Sequence, residues 1–143
     1  MPDEIFIGFD FGYKRIGVAV GQRCTGSASP LMTVPAVSGV PVWRHIENII
    51  RSWAPHGLIV GLPTCIDGRE QFTTVAARAF ADELQQRFTL PTYLVDERLS
   101  TVDARAYLFE QGGYRKIKKT AIDNIAACII LEQWLQSSAS ESA

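Results

Sequence analysis

The sequence predicts an α/β fold built on one mixed sheet of five strands, three antiparallel and then two parallel, with helices on both faces. Three observations predict it. The chain opens on short apolar runs broken by glycine, which read as strands joined by tight turns. Its middle then shifts to helical spacing. From there strand and helix patterns alternate, the order that gives parallel strands joined by helical crossovers.

Ile5 to Asp10 reads as a buried strand, and Ile16 to Val20 as a second, paired with it through the tight turn Phe11-Gly12-Tyr13-Lys14. A weaker third strand is expected between Ser27 and Val34, after the turn at Gly26. Trp43, Ile46, Ile50 and Trp53 then recur at helical spacing, so an amphipathic helix should run here and stop before Pro55. Leu58-Ile59-Val60, closed by Gly61 and Pro63, has the form of a buried parallel strand. In the next helix Phe72, Val75, Ala76, Ala79, Phe80, Leu84 and Phe88 are read as one apolar stripe. Pro91 separates it from the last strand, Thr92 to Val95. Two helices, Ser100 to Glu110 and Thr120 to Gln136, follow on either side of the loop Gln111 to Lys119. Residues 1–136 are read as a single domain, and the small polar residues 137–143 as a disordered tail.

The bulk properties agree with that size. A chain of 143 residues with 47% hydrophobic and 20% charged residues can bury one core. Its longest apolar run, Ile125 to Leu131, is far too short for a membrane helix. Met1-Pro2-Asp3-Glu4 is acidic where a signal peptide is basic, so the protein is expected in the cytoplasm, away from membranes. Cys24, Cys65 and Cys128 are scattered without disulfide or zinc spacing and are read as reduced, mostly buried thiols. The net charge of −1 selects no partner, and a nucleic acid would need a local basic patch.

Ligands of open α/β sheets sit at the carboxyl ends of the strands. Asp10 ends the first strand and Asp96-Glu97 the last, so carboxylates should converge if those strands are neighbours. Crowded acids are costly unless a cation neutralises them, and oxygen ligands without His or Cys favour Mg²⁺ or Mn²⁺. The plainer alternative is that these acids are solvated or cap turns. Asp123 lies on the helical row of Ala127, Ile130 and Trp134, on the packed side of the last helix. It also fits a capping box with Thr120 as N-cap, as Asp103 does with Ser100. Cations stand beside each acid: Lys14 and Arg15 after Asp10, Arg98 after Glu97, and Arg115, Lys116, Lys118 and Lys119 before Asp123. That placement suits phosphate binding, although a basic loop can equally be a solvated one.

Four segments resemble, in order, the motifs of the bacterial YqgF (RuvX) family. They are Asp10-Phe11-Gly12-Tyr13-Lys14-Arg15-Ile16-Gly17-Val18-Ala19, Val60-Gly61-Leu62-Pro63 with Asp67-Gly68, Asp96-Glu97-Arg98-Leu99-Ser100-Thr101, and Asp123-Asn124-Ile125-Ala126-Ala127. The similarity spans about Ile5 to Leu135 and departs at Thr64-Cys65-Ile66. It implies a ribonuclease-H-like fold and a nuclease for the 5′ end of precursor 16S ribosomal RNA, acting on ribosomal precursor particles. The older alternative for the family is a Holliday junction resolvase acting on branched DNA. By position, the resemblance implies Asp10, Glu97 and Asp123 as catalytic metal ligands for two Mg²⁺ or Mn²⁺ ions. Lys14, Arg15, Arg98 and the 115–119 loop would contact substrate. Two rivals stand beside this reading. Asp-x-Gly before a strand also resembles the phosphate hairpin of actin-like ATPases and sugar kinases, and a non-catalytic nucleic-acid-binding module could keep the same fold.

Overall fold

The computed structural model describes residues 4–62, 72–96 and 119–141. Its strands are β1 (Ile5–Asp10), β2 (Arg15–Gln22), β3 (Ser27–Val37), β4 (Val40–Pro41), β5 (Gly57–Leu62) and β6 (Thr92–Asp96). Its helices are α1 (Trp43–Trp53), α2 (Phe72–Phe88) and α3 (Lys119–Glu141). The helix expected over Ser100 to Glu110 lies outside the described residues.

All strands join one sheet in the order β4-β3-β2-β1-β5-β6. The β1–β2, β2–β3 and β3–β4 pairs are antiparallel, and β1–β5 and β5–β6 are parallel. The sheet therefore has six strands where the sequence predicts five. The extra one, β4, exists because Ser38 (φ 50°) and Gly39 (φ 83°) both take positive φ, the backbone of a two-residue hairpin turn. That turn folds Val40 back onto Val37. β3 also runs past its expected end at Val34 to reach the hairpin. It accommodates Pro30 and Pro35 because most of its outer edge pairs with no other described strand.

Alternation along the strands sorts their side chains to two faces. Ile7, Phe9, Ile16, Val18, Val34, Leu58 and Val60 pack with Ile46 and Ile49 of α1 and with Phe80 and Leu84 of α2. Phe6, Ala19 and Ile59 face the other way and pack on Ala127, Ile130, Leu131 and Leu135 of α3. The result is three layers, with α1 and α2 on one face and α3 on the other. The buried face of α2 differs from the expected stripe. Val75 is 58% exposed and Ala79 is also exposed, while Thr74, Ala77, Phe80, Ala81 and Leu84 are buried. Apolar residues occupy more of this helix than the sheet covers, so composition alone left its rotation undetermined.

Two glycines let α3 sit close to the sheet. A Cβ on Gly8 would stand 2.9 Å from Leu131 Cβ and 3.2 Å from the Ala127 carbonyl oxygen, and one on Gly21 would meet Leu131 and Leu135, each at 2.9 Å. Farther along, the Trp134 ring lies 4.9 Å from the rings of both Phe6 and Tyr93. α3 therefore runs antiparallel to β1, and its first turns lie toward the sheet end where β1 finishes. It continues to Glu141, beyond the expected end at Gln136. Of the thiols, Cys128 is buried as expected, but Cys24 is exposed, in the turn after β2.

Candidate functional site

β1 delivers Asp10 to the carboxyl end of the sheet. Because Phe6 packs toward α3 and alternate residues share a face, Gly8 and Asp10 are on the α3 side. The register then defines a cross-strand row on that face: Thr33, Gly17, Asp10, Gly61 and Val95. Asp10 is half-buried and has a glycine on each side, so neither neighbouring strand sends a side chain over its carboxylate from that row. A half-buried carboxylate at a strand end offers the kind of oxygen donor that a hard divalent cation takes.

The turn after Asp10 is tightly built. A Cβ on Gly12 would fall 2.5 Å from the Arg15 carbonyl oxygen, so only glycine lets the chain reverse so closely. The Ala36 N–H donates to the Lys14 carbonyl and the Gly39 N–H to that of Tyr13, each at 3.0 Å, so the β3–β4 hairpin braces the turn. Lys14 is exposed on it. Arg15 opens β2 and, alternating with buried Ile16, shares the face of Asp10 and Gly17.

On the helix side, α3 begins at Lys119. Thr120 is therefore inside the helix and is not its N-cap, and residue 123 is the fifth of the helix, not the third as a capping box needs. Residue 123 occupies the helical row that continues through Ala127, Ile130 and Trp134, all packed against the sheet. Its neighbour Asn124 is tied to the row of Asp10, since Thr33 Oγ1 donates to Asn124 Oδ1 at 2.8 Å. Lys119 and Asp123 are the first and fifth residues of α3. Glu97, Arg98, Arg115, Lys116 and Lys118 lie outside the described residues. Asp96, just before Glu97, pairs with Leu62 one step beyond the Asp10 row, so β6 ends beside β5 at the same sheet end as β1. Among the described residues no three His, Cys, Asp or Glu side chains gather as a metal site.

Sequence reading missed Gly17, Gly61, Thr33 and Asn124 as parts of this site. A glycine inside an otherwise β-branched run, as Gly17 is, was the available signal, since such glycines mark a close approach.

Comparison with known proteins decides the family. The family described as RuvX, Holliday junction resolvase, matches residues 4–137. The chain belongs to the RuvX family. Its relatives include a Legionella pneumophila protein named "Putative pre-16S rRNA nuclease", 67% identical over 138 residues, 96% of this chain and 99% of that one. A Proteus mirabilis protein of the same name is 51% identical over 136 residues, covering 95% and 98% of the two chains. The fold of this RuvX member is that of RuvC. The Thermus thermophilus RuvC in complex with a Holliday junction superposes with a TM-score of 0.58 at 13% identity, over 96% of each chain. The fowlpox virus resolvase bound to junction DNA gives 0.55 at 11%, over 94% of this chain and 98% of that one. The ribonuclease-H-like expectation is met, with the sixth strand as the addition.

Proposed function

We propose that this chain is a metal-dependent nuclease that hydrolyses phosphodiester bonds at the 5′ end of precursor 16S rRNA. The observation that carries the activity is the position of Asp10, half-buried between Gly17 and Gly61 at the sheet end toward which α3 directs its first turns. The substrate follows from relatives that match nearly the whole chain and carry that name. The family match over residues 4–137 favours this reading over a kinase-like nucleotide clamp.

Asp10, Glu97 and Asp123 would hold two Mg²⁺ or Mn²⁺ ions, which supply Lewis-acid activation of the attacking water and stabilisation of the leaving oxygen. The carboxylates provide the oxygen donors that such ions prefer. Arg15, on the face of Asp10, and Lys14, on the adjoining turn, would hold phosphates on either side of the bond being cut. Arg98 and the basic residues Arg115, Lys116, Lys118 and Lys119 would extend that contact along the strand, adding affinity that weakens with salt. The nucleic acid would be presented as part of a ribosomal precursor particle in the cytoplasm. Among the described residues no helix is long and apolar enough to cross a membrane. The bounds proposed for the working domain are residues 1–136.

A second reading, cleavage of branched DNA, is favoured by the description of the matching family. One assay tests both. The protein is incubated with labelled RNA spanning the 5′ end of precursor 16S rRNA and, separately, with a four-way DNA junction, each in Mg²⁺ and in chelator. Cleavage of the RNA in Mg²⁺ alone is expected. Cleavage of the junction alone would select the second reading, and no Mg²⁺-dependent cleavage of either would overturn both.

A further inference from the structure

Among the described residues, the buried apolar seam of α3 takes in Ala126, Ala127, Cys128, Ile130, Leu131 and Leu135. The helix begins at Lys119. Asp123 lies in the early part of the helix, next to Asn124. The bond from Thr33 Oγ1 to Asn124 Oδ1 reaches across from the sheet to that part of the helix, linking residues 91 apart in sequence. Its anchor, Thr33, lies in the same row as Asp10, two strands away, or about 10 Å at ordinary strand spacing.

We propose that Thr33 and Asn124 are a positioning pair that fixes the first turns of α3 relative to Asp10 and so sets the affinity of the site for its divalent cation. Neither residue ligates the cation. The proposal rests on the reading that Asp10 and Asp123 share that cation. Metal ligands must hold their geometry to within about half an ångström, and outer hydrogen bonds that orient them typically change metal affinity by about 10–100-fold. A threonine on a strand suits the anchor, because its branched side chain restricts χ1 and aims the hydroxyl. The bond also fixes the Asn124 amide, with its oxygen toward β3 and its NH₂ group turned away from Thr33.

The test compares the full chain with T33V, which keeps the shape and removes the donor, and T33S, which keeps the donor. N124A makes the same comparison from the helix. Mn²⁺ affinity is read by titration calorimetry without nucleic acid, and melting temperature is measured on the same metal-free samples. T33V and N124A should each lose about tenfold or more in Mn²⁺ affinity, with melting temperatures within a few degrees of the parent. T33S should bind as the parent does. Parent-like Mn²⁺ binding in T33V and N124A would overturn the pairing while leaving the metal site intact. Equal weakening in T33S, or unfolding of both T33V and N124A, would reduce the bond to a structural one and also overturn it. A parent protein that binds no Mn²⁺ would overturn the reading of the site and the pair with it.

Discussion

Asp10 stands opposite Gly61 across the parallel β1–β5 pair, with both on the face covered by α3. Neither Gly61 nor Gly17, the neighbour of Asp10 on the other side, sends a side chain over the carboxylate. Gly61→Ala adds one methyl about 5 Å from Asp10, at ordinary strand spacing. Its melting temperature should stay within a few degrees of the parent. Its cleavage rate should fall about tenfold or more, because small displacements of reacting groups cost rate steeply. Parent-like cleavage by Gly61→Ala, measured beside its melting curve, would show that the bare row has no part in the chemistry.

Gly8, two residues earlier on the same face, should behave in the opposite way. An added Cβ would lie 2.9 Å from Leu131 Cβ and 3.2 Å from a helix carbonyl, neither of which is the far end of a flexible chain. Gly8→Ala should therefore destabilise the fold by about 1–3 kcal/mol, lowering the melting temperature by several degrees. A thermal melt matching the parent would mean that α3 can shift away from β1 freely.

How much of this was readable beforehand depended on whether a feature was local. β1 was expected at Ile5–Asp10 and is found there, because a short apolar run closed by the turn at Gly12 needs no partner to be recognised. α1 likewise spans Trp43–Trp53, stopping before Pro55. What depended on tertiary context was harder to read. β4 is two residues long and exists only through the positive φ of Ser38 and Gly39. Thr74 is fully buried on α2 while the apolar Val75 beside it is exposed, a rotation set by where the sheet lies. The acid at the end of β1 was visible as a strand-end carboxylate. Its row with Gly17, Gly61 and Thr33 was not, because strand register brings together residues from four separate segments. The capping box inferred at Thr120 failed because the helix starts one residue before it.

The α3 seam also predicts a pH response. Burial, with a smaller contribution from the neighbouring Glu132 carboxylate, pushes the Cys128 thiol from its ordinary 9.0 up to about 12. The folded state thus resists forming the thiolate that the unfolded chain forms readily. Stability should be unaffected by this group below pH 9 and should be lost as pH rises from about 9 toward 12, by up to about 1.4 kcal/mol per pH unit. Cys128→Ala should flatten that alkaline decline in urea titrations run at several pH values. At pH 8 iodoacetamide should label exposed Cys24 in the native protein and spare Cys128. Rapid native labelling of Cys128, mapped by mass spectrometry, would contradict this account of the seam.

The central claim is that Asp123 serves the chemistry and not the start of its helix, and paired substitutions test it directly. Asp123→Asn keeps the size of the side chain and removes the charge that a metal ligand needs. Asp103→Asn makes the same change in a segment with the same Ser/Thr-x-x-Asp pattern and no proposed metal. Loss of a capping or helix-dipole contribution would cost about 1 kcal/mol or less in either variant and leave cleavage intact. The measurement is the cleavage rate of both variants at saturating Mg²⁺ on a substrate the parent cuts, with melting temperatures recorded alongside. The rate should fall by orders of magnitude in Asp123→Asn while its melting temperature holds or rises as crowded acids are relieved, and Asp103→Asn should cut at a near-parental rate. Equal rates in the two variants would contradict the assignment of Asp123 to the metal site.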